Sequence, residues 1–418
     1  MFKFNFTAED LEIDDPELVT QQDEDQIEEL SKPLESLSVS SSSSTVVPAS
    51  RLDIQSKSCL QSLPLTLHYE LAQIPVLKQG TGAATAISID MKTGEKKEIV
   101  TIYKRNLEDV KFQIAQDDDD FDTEDNNKTK EQEVAKQTIS GPGGAEMLAL
   151  AGKSDLVKGV YEGGLKTWEC ALDLVAYLAE QNENYDGKKV LELGCGSALP
   201  GIYILTQSNS AKVDLQDYND QVLRLVTLPN VLLNTYVRPD QQPAEEEEVE
   251  EEIKEQKEKT EGEDDEDDED DEDDEEHPEA DPEDGDFRGV ELDLPDSFED
   301  KLALAKKVEA QSSFYMGDWS GLVDVMAFSG DEDKYDLILT SETIYAEESH
   351  QKLYDTIKNS LKRGGKALVA AKTFYFGVGG DILSFRRLIE KDNVFNVKVV
   401  FSAQAFVRRE ILELTFKA

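Results

Sequence analysis

The sequence predicts an α/β fold, a parallel sheet covered by helices on both faces, and three observations predict it. Past Gly152, apolar runs at strand period alternate with runs at helical period, the order that builds a doubly covered sheet. The run Val190-Leu-Glu192-Leu-Gly194-Cys-Gly196 ends in a glycine turn, the form taken by the first strand-to-helix loop of a nucleotide-binding unit. The charge is strongly segregated, with 91 acids against 43 basic residues over 418 positions, so parts of the chain are expected to lie outside any core.

The elements follow in order. Residues 1–50, with the serine run Ser40 to Ser44, are expected to be a disordered tail. Residues 51–116 read as an accessory layer. Its strands are expected at Leu65–Leu71, Ala86–Asp90 and Ile99–Tyr103, with a helical stretch from Leu107. Residues 117–150 read as an acidic linker. The domain proper runs from 151 to 418, interrupted by an acidic insertion at 240–290. Between Ala244 and Asp286 stand 29 acids and three lysines, a net of −26 out of −48, with fourteen acids in succession from Glu263 to Glu276. Self-repulsion and the lack of apolar residues predict disorder there.

Within the domain, a helix is expected from Trp168, a strand at Lys188–Glu192, a helix at Ala198–Thr206 and a strand at Lys212–Gln216. An amphipathic helix covers Asn219–Asn234, with Pro229 as its expected kink. After the insertion come strands at Phe314–Met316 and Tyr335–Ser341, a helix at Glu348–Leu361 and a strand at Lys366–Lys372. A helix at Asp381–Lys391 and a closing strand pair, near Val397–Phe401 and Glu410–Phe416, complete it.

The glycine turn bears on the ligand. Gly194 and Gly196 lack a Cβ, allow a tight turn and are expected to present N–H groups to a cofactor. Asp217, about twenty residues on, ends the next strand and suits ribose hydroxyls. A dinucleotide fingerprint needs Gly or Ala at 199, where Leu199 stands, and Gly-Lys-Ser/Thr of a P-loop is absent. S-adenosylmethionine is the remaining choice on a Rossmann-like sheet, although such a turn also occurs as a purely structural loop. Gly194, Asp217, Gly317–Trp319 and Ser341–Tyr345 all fall at carboxyl ends of predicted strands, where open α/β sheets bind ligands.

Other classes are disfavoured. The acidic field opposes direct nucleic-acid binding and fits a basic protein partner. Cys59, Cys170 and Cys195 give neither a disulfide frame nor a zinc site, and His68, His277 and His350 lack ligand spacing, so no metal is expected. Without a secretory start or an apolar run of about 18 residues, the chain is expected to be soluble and intracellular.

Four further segments carry a resemblance. Tyr161-Glu-Gly-Gly-Leu-Lys-Thr167-Trp168-Glu169-Cys170-Ala171, Asp217-Tyr218-Asn219, Ser341-Glu342-Thr-Ile-Tyr345 and Phe374-Tyr-Phe-Gly-Val-Gly-Gly380 together resemble the protein-histidine N-methyltransferase family. The similarity runs from about Val160 to the end, and Ile102-Tyr-Lys-Arg-Asn-Leu-Glu-Asp-Val-Lys upstream resembles the family's preamble. It implies a seven-strand methyltransferase core and methyl transfer from S-adenosylmethionine to an imidazole nitrogen of a basic large-subunit ribosomal protein. It implies a cytoplasmic and nuclear enzyme, expected as a monomer.

The implied donor contacts are Thr167, Trp168, Glu169, Cys170, Ala171, Glu192, Gly194, Asp217, Tyr218, Asn219, Gly317, Asp318, Trp319 and Ser341. Trp168 and Trp319 offer flat faces, and Asp318 suits the adenine amino group. Glu342 is the candidate acceptor that orients the target histidine, with Tyr345 and the Phe374–Phe376 loop around it; Glu342 reads equally as a buried acceptor at a helix start. The alternatives are a lysine methyltransferase of the same superfamily, a noncatalytic acidic chaperone, and a nicotinamide dehydrogenase, which Leu199 opposes.

Overall fold

The central strands are short, almost wholly apolar and buried on both sides, which only a sheet covered by helices on each face allows. The computed structural model describes residues 46–76, 86–89, 96–114, 163–239, 290–403 and 405–418. The expected disordered segments at 1–50, 117–150 and 240–290 lie almost entirely outside these residues.

The main sheet has eight strands in the order β1-β8-β6-β5-β9-β10-β12-β11. They are β1 Ser50–Leu52, β5 Lys189–Leu193, β6 Lys212–Asp217, β8 Phe314–Met316, β9 Tyr335–Ser341, β10 Leu361–Lys372, β11 Phe395–Ala403 and β12 Arg409–Phe416. Strands β8, β6, β5, β9 and β10 run parallel, with Val190 opposite both Val213 and Leu337. Strand β12 is antiparallel between β10 and β11. Seven of these are the predicted core. The eighth, β1, is an unexpected edge strand antiparallel to β8, with Arg51 opposite Tyr315. Its residues lie at the junction of the expected tail and accessory layer, where three residues carry no periodic signal.

Helices α3 (Glu169–Gln181), α4 (Leu199–Gln207), α8 (Glu347–Ser360) and α9 (Ile382–Asp392) connect or cover these strands. Helix α3 turns Cys170, Leu174, Val175 and Leu178 inward. Two clusters make the cores of the two sheet faces, one around Leu174, Tyr203 and Val213, the other around Leu191, Ile338 and Phe385. The accessory layer is a second sheet of order β3-β4-β2-β7, built from β2 Thr66–Val76, β3 Ala86–Ile89, β4 Lys96–Arg105 and β7 Val290–Asp293. Strand β7 follows the acidic insertion and pairs with β2, so the chain re-enters the fold through the accessory layer.

The predicted helix at 219–234 is continuous but irregular. Asp220–Val222 is α-helical, Leu223–Thr227 is a π turn, and Leu228–Thr235 resumes as α5. Pro229 has no N–H, so the turn before it is one backbone donor short. Buried Arg105 of β4 supplies a side-chain donor, its Nη1 donating to Leu225 O at 2.8 Å, while its Nε donates to Asp109 at 2.6 Å. The accessory layer thus repairs a proline in the main domain.

Candidate active site

The site begins with the apolar strand β5, whose one acid, Glu192, is 1% exposed. It lies at the start of α4, its Oε2 accepting from Gly201 N at 2.7 Å. A Cβ on Gly201 would stand 2.7 Å from that oxygen. Burial pushes the Glu192 carboxyl up to about 8, against the Gly201 hydrogen bond and with help from the charge of Asp217. That hydrogen bond ties it to the helix start, not to the rim.

At the end of β5 the chain turns at Gly194 with φ +60, where a Cβ would stand 2.5 Å from Thr343 Cγ2. The N–H groups of this loop are not presented to a ligand as expected. Gly194 N donates to Gln216 Oε1 at 3.1 Å, Cys195 N to Gln216 O, and Gly196 N to Asp217 Oδ2 at 2.9 Å. Two side chains and a backbone carbonyl at the end of β6 are within reach and take these donors. The glycines therefore serve close approach. Gln216, 1% exposed, is the hub: its Oε1 also accepts from Trp319 Nε1 at 2.7 Å and its Nε2 donates to Gly317 O at 2.9 Å.

Asp217, 5% exposed, accepts from Gly196 N and from Asn219 N at 3.1 Å, leaving further acceptor capacity on both oxygens. Burial raises its carboxyl to about 6, with the hydrogen bonds of Asn219 and Gly196 opposing. Asn219 Nδ2 donates to Gly163 O at 3.1 Å, drawing the Gly163–Thr167 segment over the loop, where Gly164 lies against the Gly196 backbone. Thr167 donates to Ser197 Oγ at 2.9 Å. Tyr218 accepts from Val47 N at 3.4 Å. Asp318 accepts from Ser320 N at 2.9 Å and from Lys352 Nζ at 2.7 Å. Burial works to raise its carboxyl, and these hydrogen bonds outweigh it and hold it low.

A second group lies at the ends of β9 and β10. Ser341, half-buried, closes β9 opposite Ala370. Glu342 follows with φ +57, a left-handed backbone that costs a non-glycine residue about 1–2 kcal/mol. Its carboxylate, 8% exposed, accepts from Tyr375 OH at 2.6 Å and from Cys170 N, in the first turn of α3, at 3.4 Å. Lys372 Nζ stands 3.7 Å from Glu342, 2.8 Å from Glu169 and 5.1 Å from the Trp168 ring centre. Glu169 is held below its ordinary value chiefly by that lysine. Burial, then Glu342, pushes the Cys170 thiol far up, so Cys170 packs as a neutral side chain beside Ala171. Tyr345 packs against the second core and its carbonyl accepts from Gly380 N at 2.8 Å.

The structure thus places the predicted residues in two adjoining groups joined by the turn at 341–343. Thr343 touches the Gly194 position and hydrogen-bonds Thr340 at 2.6 Å, while Thr340 Oγ1 donates to Leu193 O. Gln216, Tyr375, Lys372 and Thr343 are parts of the site that the sequence reading missed. The rim fits S-adenosylmethionine on two observations. Asp217 keeps acceptor sites for ribose hydroxyls, and the Trp319 ring approaches the Gly194 position to 3.9 Å. Four residues beyond Asp217, Gln221 Oε1 is buried without a protein hydrogen bond, the kind of atom a polar ligand satisfies. A cavity of about 390 Å³ lies by the accessory sheet, lined by Glu70, Lys104, Leu107 and Asn230, and adjoins this site along Leu165–Thr167 and Ser197.

Comparison with known proteins gives the family. The chain is 32% identical over 325 residues to histidine protein methyltransferase 1 of Schizosaccharomyces pombe, covering 75% of this chain and 76% of that protein. This chain belongs to the histidine protein methyltransferase family. It is also 34% identical over 270 residues to the histidine protein methyltransferase 1 homolog of Bos taurus, covering 64% of this chain and 59% of that protein. Against the cattle, mouse and rat family members the chain spans 59% to 61% of their length. A family model described as lysine methyltransferase matches residues 153–255. That stretch holds Thr167–Ala171, Glu192, Gly194 and Asp217–Asn219 and stops short of Gly317–Trp319, Ser341, Glu342 and Tyr375.

Proposed function

We propose that the chain is a protein methyltransferase that uses S-adenosylmethionine to methylate a ring nitrogen of a histidine in a basic protein substrate. The observation that carries the choice of acceptor is Glu342, a nearly buried carboxylate set by the turn beside the glycine rim. The bound donor supplies an electrophilic methyl group. The chain's own part is positioning and exclusion of water, which dominate an in-line displacement. A histidine with an ordinary pKa near 6.5 arrives mostly neutral, so it needs the correct tautomer and not deprotonation. Glu342 accepts from one ring N–H and leaves the other nitrogen bare to attack; when the methylated ring becomes cationic, that same N–H proton passes to the carboxylate or to water. Tyr375, donating to Glu342 Oε2, and the N-terminus of α3 hold the carboxylate in one orientation.

A lysine acceptor fits this pocket less well. Burial works to lower Lys372, but its contacts to Glu169 and Glu342 outweigh it and keep it charged, so a cationic acceptor would approach an existing cation. The basic partner follows from the net charge of −48, of which the 244–286 segment carries −26. A large-subunit ribosomal protein, met by a monomeric enzyme in the cytoplasm or nucleus, suits that charge; a noncatalytic chaperone would use it without the donor site.

The test is to incubate the full chain with labelled donor and an extract lacking the endogenous activity, then to map the label by mass spectrometry. Label on histidine is expected. Label on lysine would overturn the acceptor assignment, and capture of a basic protein without label would favour the chaperone.

A further inference from the structure

Residues 46–49 pass along the donor rim and meet three residues the donor reading uses, Tyr218, Gly317 and Asp318. Val47 N–H donates to Tyr218 OH at 3.4 Å, and Val47 O accepts from Asp318 N at 2.9 Å. Pro48 crosses Gly317 so closely that a Cβ on the glycine would stand 2.4 Å from Pro48 O and 2.7 Å from its carbonyl carbon. Gly317 also has φ +92. Its glycine is therefore explained by the crossing of Pro48. Ala49 then packs against the second core, and Ser50–Leu52 locks the segment as the edge strand beside β8.

We infer that Val47 and Pro48 are positioning residues for donor binding: the segment is a strap that holds Tyr218 and Asp318 at the rim. The inference rests on the proposed donor site and extends it to a part of the chain with no sequence motif. Three strands meet at this point, yet Tyr218 and Asp318 follow strand ends and lie in turns. Turns are the more mobile parts of a fold and are positioned by the scaffold around them. Between β6 and β8 the strap supplies that fixing from the open edge, with one hydrogen bond to each turn. Linkage then runs both ways: whatever the strap adds to donor affinity, the donor must return as ordering of the strap.

The experiment uses the full chain. Donor affinity is measured by calorimetry for the wild type, for Val47→Pro, which removes the N–H given to Tyr218, and for Pro48→Gly, which frees the backbone at the crossing. Each variant is expected to weaken S-adenosylmethionine binding about three- to tenfold, the range for one net hydrogen bond. Turnover at saturating donor and the melting temperature are expected to stay close to wild type, which a merely structural role would not produce. In the unaltered chain, S-adenosylhomocysteine is expected to slow amide exchange at Val47 and Asp318. Unchanged affinity in both variants, or exchange at those amides indifferent to the ligand, overturns the strap. Failure of the wild type to bind the donor at all is a different result and overturns the donor site itself.

Discussion

Glu192→Gln isolates the cost of an acid sealed beneath the glycine loop. Burial raises this carboxyl from 4.5 to about 8, so its contribution to stability is fully present below pH 4.5 and is lost as pH rises through about 8. Between those limits the folded protein keeps a proton that the unfolded chain releases. Each pH unit then costs about 1.4 kcal/mol, or about 3 kcal/mol between pH 5.5 and 7.5. Glutamine cannot ionise, and its carbonyl still accepts from Gly201 N–H while its amide replaces the carboxylic O–H. The variant is therefore expected to gain about 3 kcal/mol on the wild type across that interval. The assay is urea denaturation at pH 5.5, 6.5 and 7.5, followed by the fluorescence of Trp168 and Trp319. Repulsion among the many surface acids affects both proteins alike and cancels in the difference. A wild-type to variant gap that stays constant with pH would refute the reasoning, since it would mean that Glu192 is ionised in the fold at every pH tested.

Three further outcomes follow from the same geometry. Asp217, raised by burial to about 6, accepts ribose hydroxyls best when ionised, so donor affinity measured by calorimetry should fall up to tenfold per unit below about pH 6 and become flat with pH in Asp217→Asn. Arg105→Met leaves Asp109 and the Leu225 carbonyl without their buried cation and should cost about 3–5 kcal/mol in urea titration; adding Pro229→Ala restores an N–H toward that carbonyl and should recover about 1 kcal/mol, whereas Pro229→Ala alone should gain nothing. Glu342→Gln keeps an acceptor for Cys170 N–H but gives up the charge, so turnover at saturating donor should fall by about 10²–10⁴ with donor affinity near wild type; an unchanged turnover would leave Glu342 as a buried helix-start acceptor alone.

The sheet and the donor rim were legible where chemistry and periodicity coincide in one segment. Val190–Gly196 is both a strand and a turn, Asp217 ends an alternating run, and the helices from Trp168 and Asp381 carry clear apolar stripes. Legibility failed where pairing is long-range. Nothing in Ser50–Leu52 announces an edge strand, because its partner lies some 260 positions on, at Phe314–Met316. Val290–Asp293 was likewise hidden at the border of the acidic run, paired with Thr66–Tyr69. In Phe374-Tyr375-Phe376 the sequence shows three aromatic rings of equal standing. The fold separates them: Tyr375 is 7% exposed and bonded to Glu342, while Phe374 and Phe376 are 49% and 69% exposed. Only the hydroxyl distinguishes the inward ring, and a hydroxyl has meaning only once Glu342 is known to be within reach.

Gln216 shows why a motif can be found while its mechanism is misread. In sequence it is one polar residue in Lys212-Val-Asp-Leu-Gln-Asp217, next to an aspartate that draws all attention. In the fold its amide accepts from Gly194 N and Trp319 Nε1 and donates to Gly317 O, tying the ends of β5, β6 and β8. A carboxylate cannot donate and a hydroxyl cannot span three partners, so an amide is the side chain that satisfies all of them. The glycines alone permit many loop shapes. It is the buried amide that selects one, and the edge of the Trp319 ring is set beside the Gly194 turn by that same oxygen. The centre of the rim is therefore tied together by its own side chains, and the strap at Val47 and Pro48 adds on its open edge to what Gln216 does at its centre.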